Sequence, residues 1–158
     1  MNVQKILKVM FWIIICEFIG ILGSVFTFTQ ITTWYLVLNK PFFSPPNFVF
    51  GPVWTTLYAL MGISIYLIYE AKIKKPEKNY LIKLFALQLF LNFLWTIIFF
   101  GMHLLFPAFF EIILLWGIIL LLIIKFFKYS KLASYLLIPY ILWVSFASLL
   151  NIAVALLN

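Results

Sequence analysis

The chain has 158 residues, 66% of them hydrophobic and 9% charged, with a mean hydropathy of +1.18 and a net charge of +7. Too few charges are available to cover a water-facing surface, which excludes an ordinary soluble domain and leaves room for one compact membrane domain. The basic excess is all lysine and flanks apolar runs, which argues against a nucleic-acid partner, and one Cys with one His excludes a disulfide framework or a multi-ligand zinc site.

A hydrocarbon core about 30 Å thick takes roughly 20 apolar residues in a helix. Five segments reach that length, at about 8–29, 50–72, 80–101, 106–127 and 133–156. They predict an all-α bundle of five transmembrane helices with a structured Pro-rich outer loop, a single domain over 1–158. The first segment follows Lys5 and Lys8 but is too long for a signal-peptide core, has no A-x-A site, and fits a lipoprotein site at Ile15-Cys16 poorly. It is read as a retained helix. Lys5, Lys8, Lys72, Lys74, Lys75, Lys78, Lys83, Lys125, Lys128 and Lys131 fall on one side, and Lys40 alone on the other. That bias predicts a cytoplasmic N-terminus and, after five spans, a C-terminus outside.

In the first helix Cys16, Gly20 and Ser24 form a small-residue stripe, either for packing inside the monomer or as a homodimer face. Glu17 lies near mid-helix, where a carboxyl is costly; it is either functional or protonated and bonded to a neighbouring helix. The next stretch, Trp34 to Tyr66, reads WYLVLNKPFFSPPNFVFGPVWTTLYALMGISIY. Pro41, Pro45 and Pro46 fix φ near −65° and extend the residues before them, so this loop is a stiff lid. Pro52 sits where a first helical turn tolerates a missing N–H. Trp54, Tyr58 and Gly62 then share one helix face.

A Lys-rich turn over 72–78 follows the second helix. Leu67, Tyr69 and Lys72 match a loose sterol-recognition pattern, and Lys131, Tyr135 and Leu137 match its reverse; both match by chance often. Gln88, Asn92 and Thr96 are spaced four apart on the third helix beside Trp95. Amides do not face lipid, so the stripe points inward, either joining helices or lining a cavity. His103 in the short outer turn is either an interfacial residue or a haem ligand. Glu111 near the start of the fourth helix is either favoured by the helix dipole or a ligand contact. Trp116 reads as a core or lipid-facing aromatic. Pro139 lies inside the fifth segment and predicts a kink. Tyr140 and Trp143 come after it, and Ala147, Asn151 and Ala155 form a second close-packing stripe.

The pattern from Trp34 to Gly62, W-Y-x-x-L-x-K-P-x-x-x-P-P-x-x-x-F-x-x-x-W-x-x-L-Y-x-L-M-G, resembles the translocator protein family, also called tryptophan-rich sensory proteins or TspO/MBR. Two later stretches resemble it too: QLFLNFLWTIIFFG over 88–101 and PYILWVSFASLLN over 139–151. The resemblance implies a membrane protein binding a hydrophobic tetrapyrrole, protoporphyrin IX or haem, in porphyrin transport, regulation or light-dependent breakdown. By the same resemblance Trp54 and Trp143 match the tryptophans implicated in photochemical porphyrin breakdown. No residue set suggests a conventional enzyme or a required cofactor.

Depth along the helices brings Trp54, Tyr58, Asn92, Trp95, Glu111, Trp143 and Asn151 together at middle or outer depth. The expected ligand contacts are these with Trp34, Pro41, Pro45, Phe50, Gln88, Tyr140 and Ala147. The expected partners are the tetrapyrrole or another hydrophobic small molecule, membrane lipid and a second copy of the chain. The expected location is a prokaryotic cell membrane. Alternative readings are a stress sensor acting through partner proteins, or a transporter of sterol-like or other small hydrophobic molecules. Sterol transport is weakened because no basic residue follows Tyr140.

Overall fold

A computed structural model describes residues 3–158. Among these residues, five helical segments are long and apolar enough to cross a membrane. The first is α1 (Val3–Ile31). The loop that follows carries a short helix, α2 (Trp34–Val37), and a 3-10 turn at Asn47–Val49 that leads into α3 (Phe50–Glu70). Next comes α4 (Lys75–Thr96), which widens into a π-helical turn at Ile97–Gly101, and then α5 (Leu105–Phe127). A short α6 (Lys131–Tyr135) precedes α7 (Ile138–Leu157).

Three boundaries differ from the expected ones for local reasons. α1 extends at both ends, since nothing in its flanks stops a helix. α4 begins at Lys75 because Pro76 sits in its first turn, where no N–H is needed; the Lys-rich stretch is therefore largely helical, and the connection shrinks to residues 71–74. Pro139 does not kink a continuous helix. The chain breaks at Leu136-Leu137, and Pro139 falls in the first turn of the new helix α7. α6 starts at Ser130, whose hydroxyl accepts the Ala133 N–H at 3.2 Å. Ser130→Ala should cost about 1 kcal/mol of stability, the usual worth of an N-cap, measurable as a lower unfolding midpoint in detergent.

α1 lies along α3, and glycine sets how closely. A Cβ at Gly62 would stand 2.5 Å from the Ile13 Cα, so backbone meets backbone there. One turn further, Gly20 packs against the Tyr58 ring. Cys16 and Gly20 thus serve packing inside the monomer, while Ser24 is exposed and donates to the Ile21 carbonyl. α5 and α7 are joined by Asn151, whose Nδ2 donates to the Leu105 carbonyl at 2.8 Å, and by Trp116 Nε1 to Ser145 Oγ at 2.8 Å. Trp116 is therefore a helix-joining residue. At the opposite end of the bundle Lys8 pairs with Glu70 at 2.8 Å.

Candidate functional site: an aromatic cavity

Where α1 and α3 diverge above the Gly20–Tyr58 contact, the bundle holds a cavity of about 470 Å³, between α1, α3, α4 and α7 and beneath the loop of residues 32–49. Its size is ordinary for a small-molecule site, and its wall is aromatic. α3 contributes Phe50, Trp54 and Tyr58; α4 contributes Asn92, Trp95, Phe99 and Phe100; α7 contributes Trp143, Ala147 and Asn151. The rings hold one another. Trp95 stacks on Phe99 at 4.9 Å, Phe50 meets Trp143 edge-on at 6.1 Å, and Trp54 lies 5.7 Å from Tyr58. On the far side of α7's wall, Trp143 also lines a shallower outer groove with Pro52, Pro139 and Phe146.

The polar groups beneath form a linked floor. The Tyr58 hydroxyl donates to Asn92 Oδ1, Asn92 Nδ2 donates to the Tyr140 hydroxyl at 3.0 Å, and Tyr140 donates to Gln88 Oε1 at 2.9 Å. Each group is thereby satisfied in a water-poor interior, which fixes the height and tilt of Tyr58. Trp95 Nε1 is tied to Asn151 Oδ1 at 3.1 Å, while the Trp143 N–H is buried without a hydrogen-bond partner. Asn92→Leu should strand the Tyr58 hydroxyl and remove Tyr140's donor. An unfolding midpoint lower by the equivalent of about 2 kcal/mol is expected, since an unmatched buried polar group costs 1–3 kcal/mol.

Of the fourteen residues expected from sequence to contact ligand, Phe50, Trp54, Tyr58, Asn92, Trp95, Trp143, Ala147 and Asn151 line this cavity. Gln88 and Tyr140 form the layer under it. Trp34 stands beside it, stacked on His103 at 4.1 Å and packed on Phe99 and Phe100. His103 is thus a partner of Trp34 and of Gln30 (3.1 Å), outside the cavity. Pro41 and Pro45 shape the loop without lining the space. Glu111 is buried between α5 and its neighbours, its two oxygens unpartnered, and does not reach the cavity. Neither sterol-type pattern contributes a lining residue.

Glu17, singled out in the sequence as functional or bonded to a neighbouring helix, lies at the lower edge of the cavity, but the rest of the α1 wall, from Gly20 to Ile31, was not expected, nor were Tyr35, Asn47, Phe48, Phe99 and Phe100. Phe99 follows Trp95 by four, a spacing that could have placed it. Phe100 is brought inward by the π-helical turn, which no local signal announces. Tyr35 lies outside the spans, and burial pushes its phenol above the ordinary value.

The loop over the cavity is fastened at several points. Asn39 and Asn158 exchange amide hydrogen bonds at 2.9 and 3.0 Å. Lys40 Nζ donates to the Tyr35 carbonyl at 2.9 Å, and Asn47 Nδ2 donates to the Ile31 carbonyl at 3.3 Å.

These features define a multi-pass membrane protein whose helices enclose an aromatic chamber at one end of the bundle. The profile of the TspO/MBR family matches residues 12–157, and the chain belongs to that family. It is 44% identical over 155 residues to the tryptophan-rich protein TspO of Archaeoglobus fulgidus, covering 98% of this chain and 99% of that one. It is 37% identical over 133 residues to the Homo sapiens translocator protein, covering 84% and 79% of the two chains. With the tryptophan-rich sensory protein of Cereibacter sphaeroides it shares 33% identity over 125 residues, 79% and 77% of the two.

Proposed function

We propose that the chamber binds a flat hydrophobic tetrapyrrole, protoporphyrin IX or haem, taking it up for transport, sensing or light-dependent breakdown. The observation that carries this reading is the cavity of about 470 Å³ walled by three indoles and by Phe50, Phe99 and Phe100. Planar π-faced walls favour a planar π ligand over a puckered sterol of equal area, because stacking adds to burial. Relatives named translocator protein and tryptophan-rich sensory protein support a ligand-handling role in the membrane. Dark titration of purified protein with protoporphyrin IX, haem and a sterol tests the reading. The tetrapyrroles should quench tryptophan fluorescence saturably and more tightly than the sterol, and the reverse order would overturn it.

Photochemical breakdown is read as part of the same function. The reacting partners would be the excited ligand, dioxygen and the indoles of Trp54 and Trp143, with the protein holding them together. Under light and oxygen, bound porphyrin should bleach faster than free porphyrin in the same detergent. Trp54→Phe with Trp143→Phe should slow the loss while leaving dark binding largely intact. Equal bleaching in the wild type and the double Phe variant would make the protein a binder without photochemistry.

The membrane placement is part of this reading. The end of the bundle opposite the chamber carries ten of the lysines, which supports a cytoplasmic N-terminus, an outward chamber and a prokaryotic cell membrane. A reporter fused after Asn158 should be active outside the cytoplasm, and one inserted near Lys75 inside. The opposite pattern at both sites overturns the orientation.

A further inference from the structure

The exposed residues of the chamber's lining all lie on one side, and that side faces the membrane. Its mouth lies between α1 and α3, bordered by Ile21, Ser24 and Phe28 on one side and by Phe48, Gly51 and Thr55 on the other. All six are exposed, Ile21 by 60% and both phenylalanines by 78%. They belong to two membrane-crossing segments, with Phe48 in the 3-10 turn that begins the second. The surface they form is therefore bathed in lipid or its interface. Below the mouth, by Glu17, the cleft closes where Gly20 meets the Tyr58 ring.

The other sides are lined by buried or half-buried residues. The floor is the satisfied chain from Tyr58 through Asn92 and Tyr140 to Gln88. The roof is the loop tied down by the Asn39–Asn158 pair, by Lys40 on the Tyr35 carbonyl and by Asn47 on the Ile31 carbonyl. Raising that roof breaks several hydrogen bonds together.

We propose that this chamber is loaded sideways, from the hydrocarbon of the membrane through the cleft between α1 and α3, with the loop closed. Its ligands are then drawn from molecules already dissolved in the bilayer, and a water-confined charged molecule is excluded however well its shape fits. The reading deepens the function proposed above. Its test needs no tetrapyrrole, so the two can fail separately.

The test places a single thiol in the chamber, Ala147→Cys in a Cys16→Ala background, in lipid vesicles. The rates of labelling by a long-chain alkyl maleimide and by a sulfonated, membrane-impermeant maleimide are compared. The alkyl reagent should label, and the sulfonated one should not. Gly51→Phe should slow the alkyl reaction at least about tenfold by filling the mouth, a blocked path lowering an association rate. A Cβ at Gly51 meets nothing within 4 Å, and the variant's helical content and unfolding midpoint are checked beside the wild type. Asn158→Ala, which unties the loop, should leave the rate unchanged. Labelling by the sulfonated reagent, faster labelling after Asn158→Ala with no effect of Gly51→Phe, or no labelling by the alkyl reagent would each overturn the proposal.

Discussion

Replacing both Trp54 and Trp143 with alanine is expected to weaken protoporphyrin IX binding by at least about 30-fold, the equivalent of about 2 kcal/mol at a buried aromatic contact. The two indoles come from α3 and α7 and face one chamber. Trp54 is set by Tyr58 at 5.7 Å and by Tyr140 at 6.3 Å, and Tyr140 is itself fixed from Gln88. Its orientation is thus determined before ligand arrives, and little ordering cost is left at binding. Trp143 has a second effect because it also forms the wall towards the outer groove. Without it, the chamber opens to that groove and loses shape as well as contact area. Porphyrin absorbance is the readout, because the substitutions remove fluorescent reporters. Wild-type affinity in the double variant would place the ligand outside the chamber.

Gly62→Leu should have the largest effect on stability. Its Cβ would fall 2.5 Å from the Ile13 Cα and 2.8 Å from the Ile13 nitrogen, and backbone atoms cannot swing aside as a side-chain tip can. Leucine in place of glycine in a helix gains up to about 1 kcal/mol in propensity. Overpacking against a rigid neighbour costs about 1–3 kcal/mol or more, so the steric penalty wins. The expected result is a lower unfolding midpoint in detergent and a chamber deformed where α1 and α3 separate. Gly51→Leu, on the same helix with open space around it, isolates the propensity effect and should be neutral or slightly stabilising. If both variants unfold with the wild type, α1 is not seated on α3 as described.

How much of this was legible in the sequence depends on the length scale of the signal. The spans could be read because each is a long uninterrupted apolar run, and lipid leaves a run of that kind one option. Gln88, Asn92 and Thr96 could be turned inward because an amide has nowhere else to go; Asn92 lines the chamber, Gln88 underlies it and Thr96 joins the wall. Pro139 carried a correct local fact, a missing N–H, but not its consequence, and Pro76 was not read at all. Pro76 advances a helix start, and Pro139 marks a restart after a break. Glu111 shows a different limit. Its place near the start of a helix does not fix rotation around the axis, and it is buried outside the chamber's lining. The α1 wall was hidden for a related reason. Gly20 and Ser24 read as packing residues, and whether small residues admit a helix or a ligand is decided by where α1 and α3 separate.

The ligand is placed in the space beside Ala147, and filling that space tests this placement most directly. Protoporphyrin IX is titrated in the dark into wild type, Ala147→Trp and Leu142→Trp, with helical content and unfolding midpoint checked for each. Ala147 lines the chamber, whereas Leu142 is 64% exposed and lines only the outer groove. Saturable binding by the wild type and by Leu142→Trp, and its loss in a folded Ala147→Trp, is the predicted result. Wild-type binding by Ala147→Trp together with loss in Leu142→Trp would put the ligand on the outer face and contradict the chamber as the site.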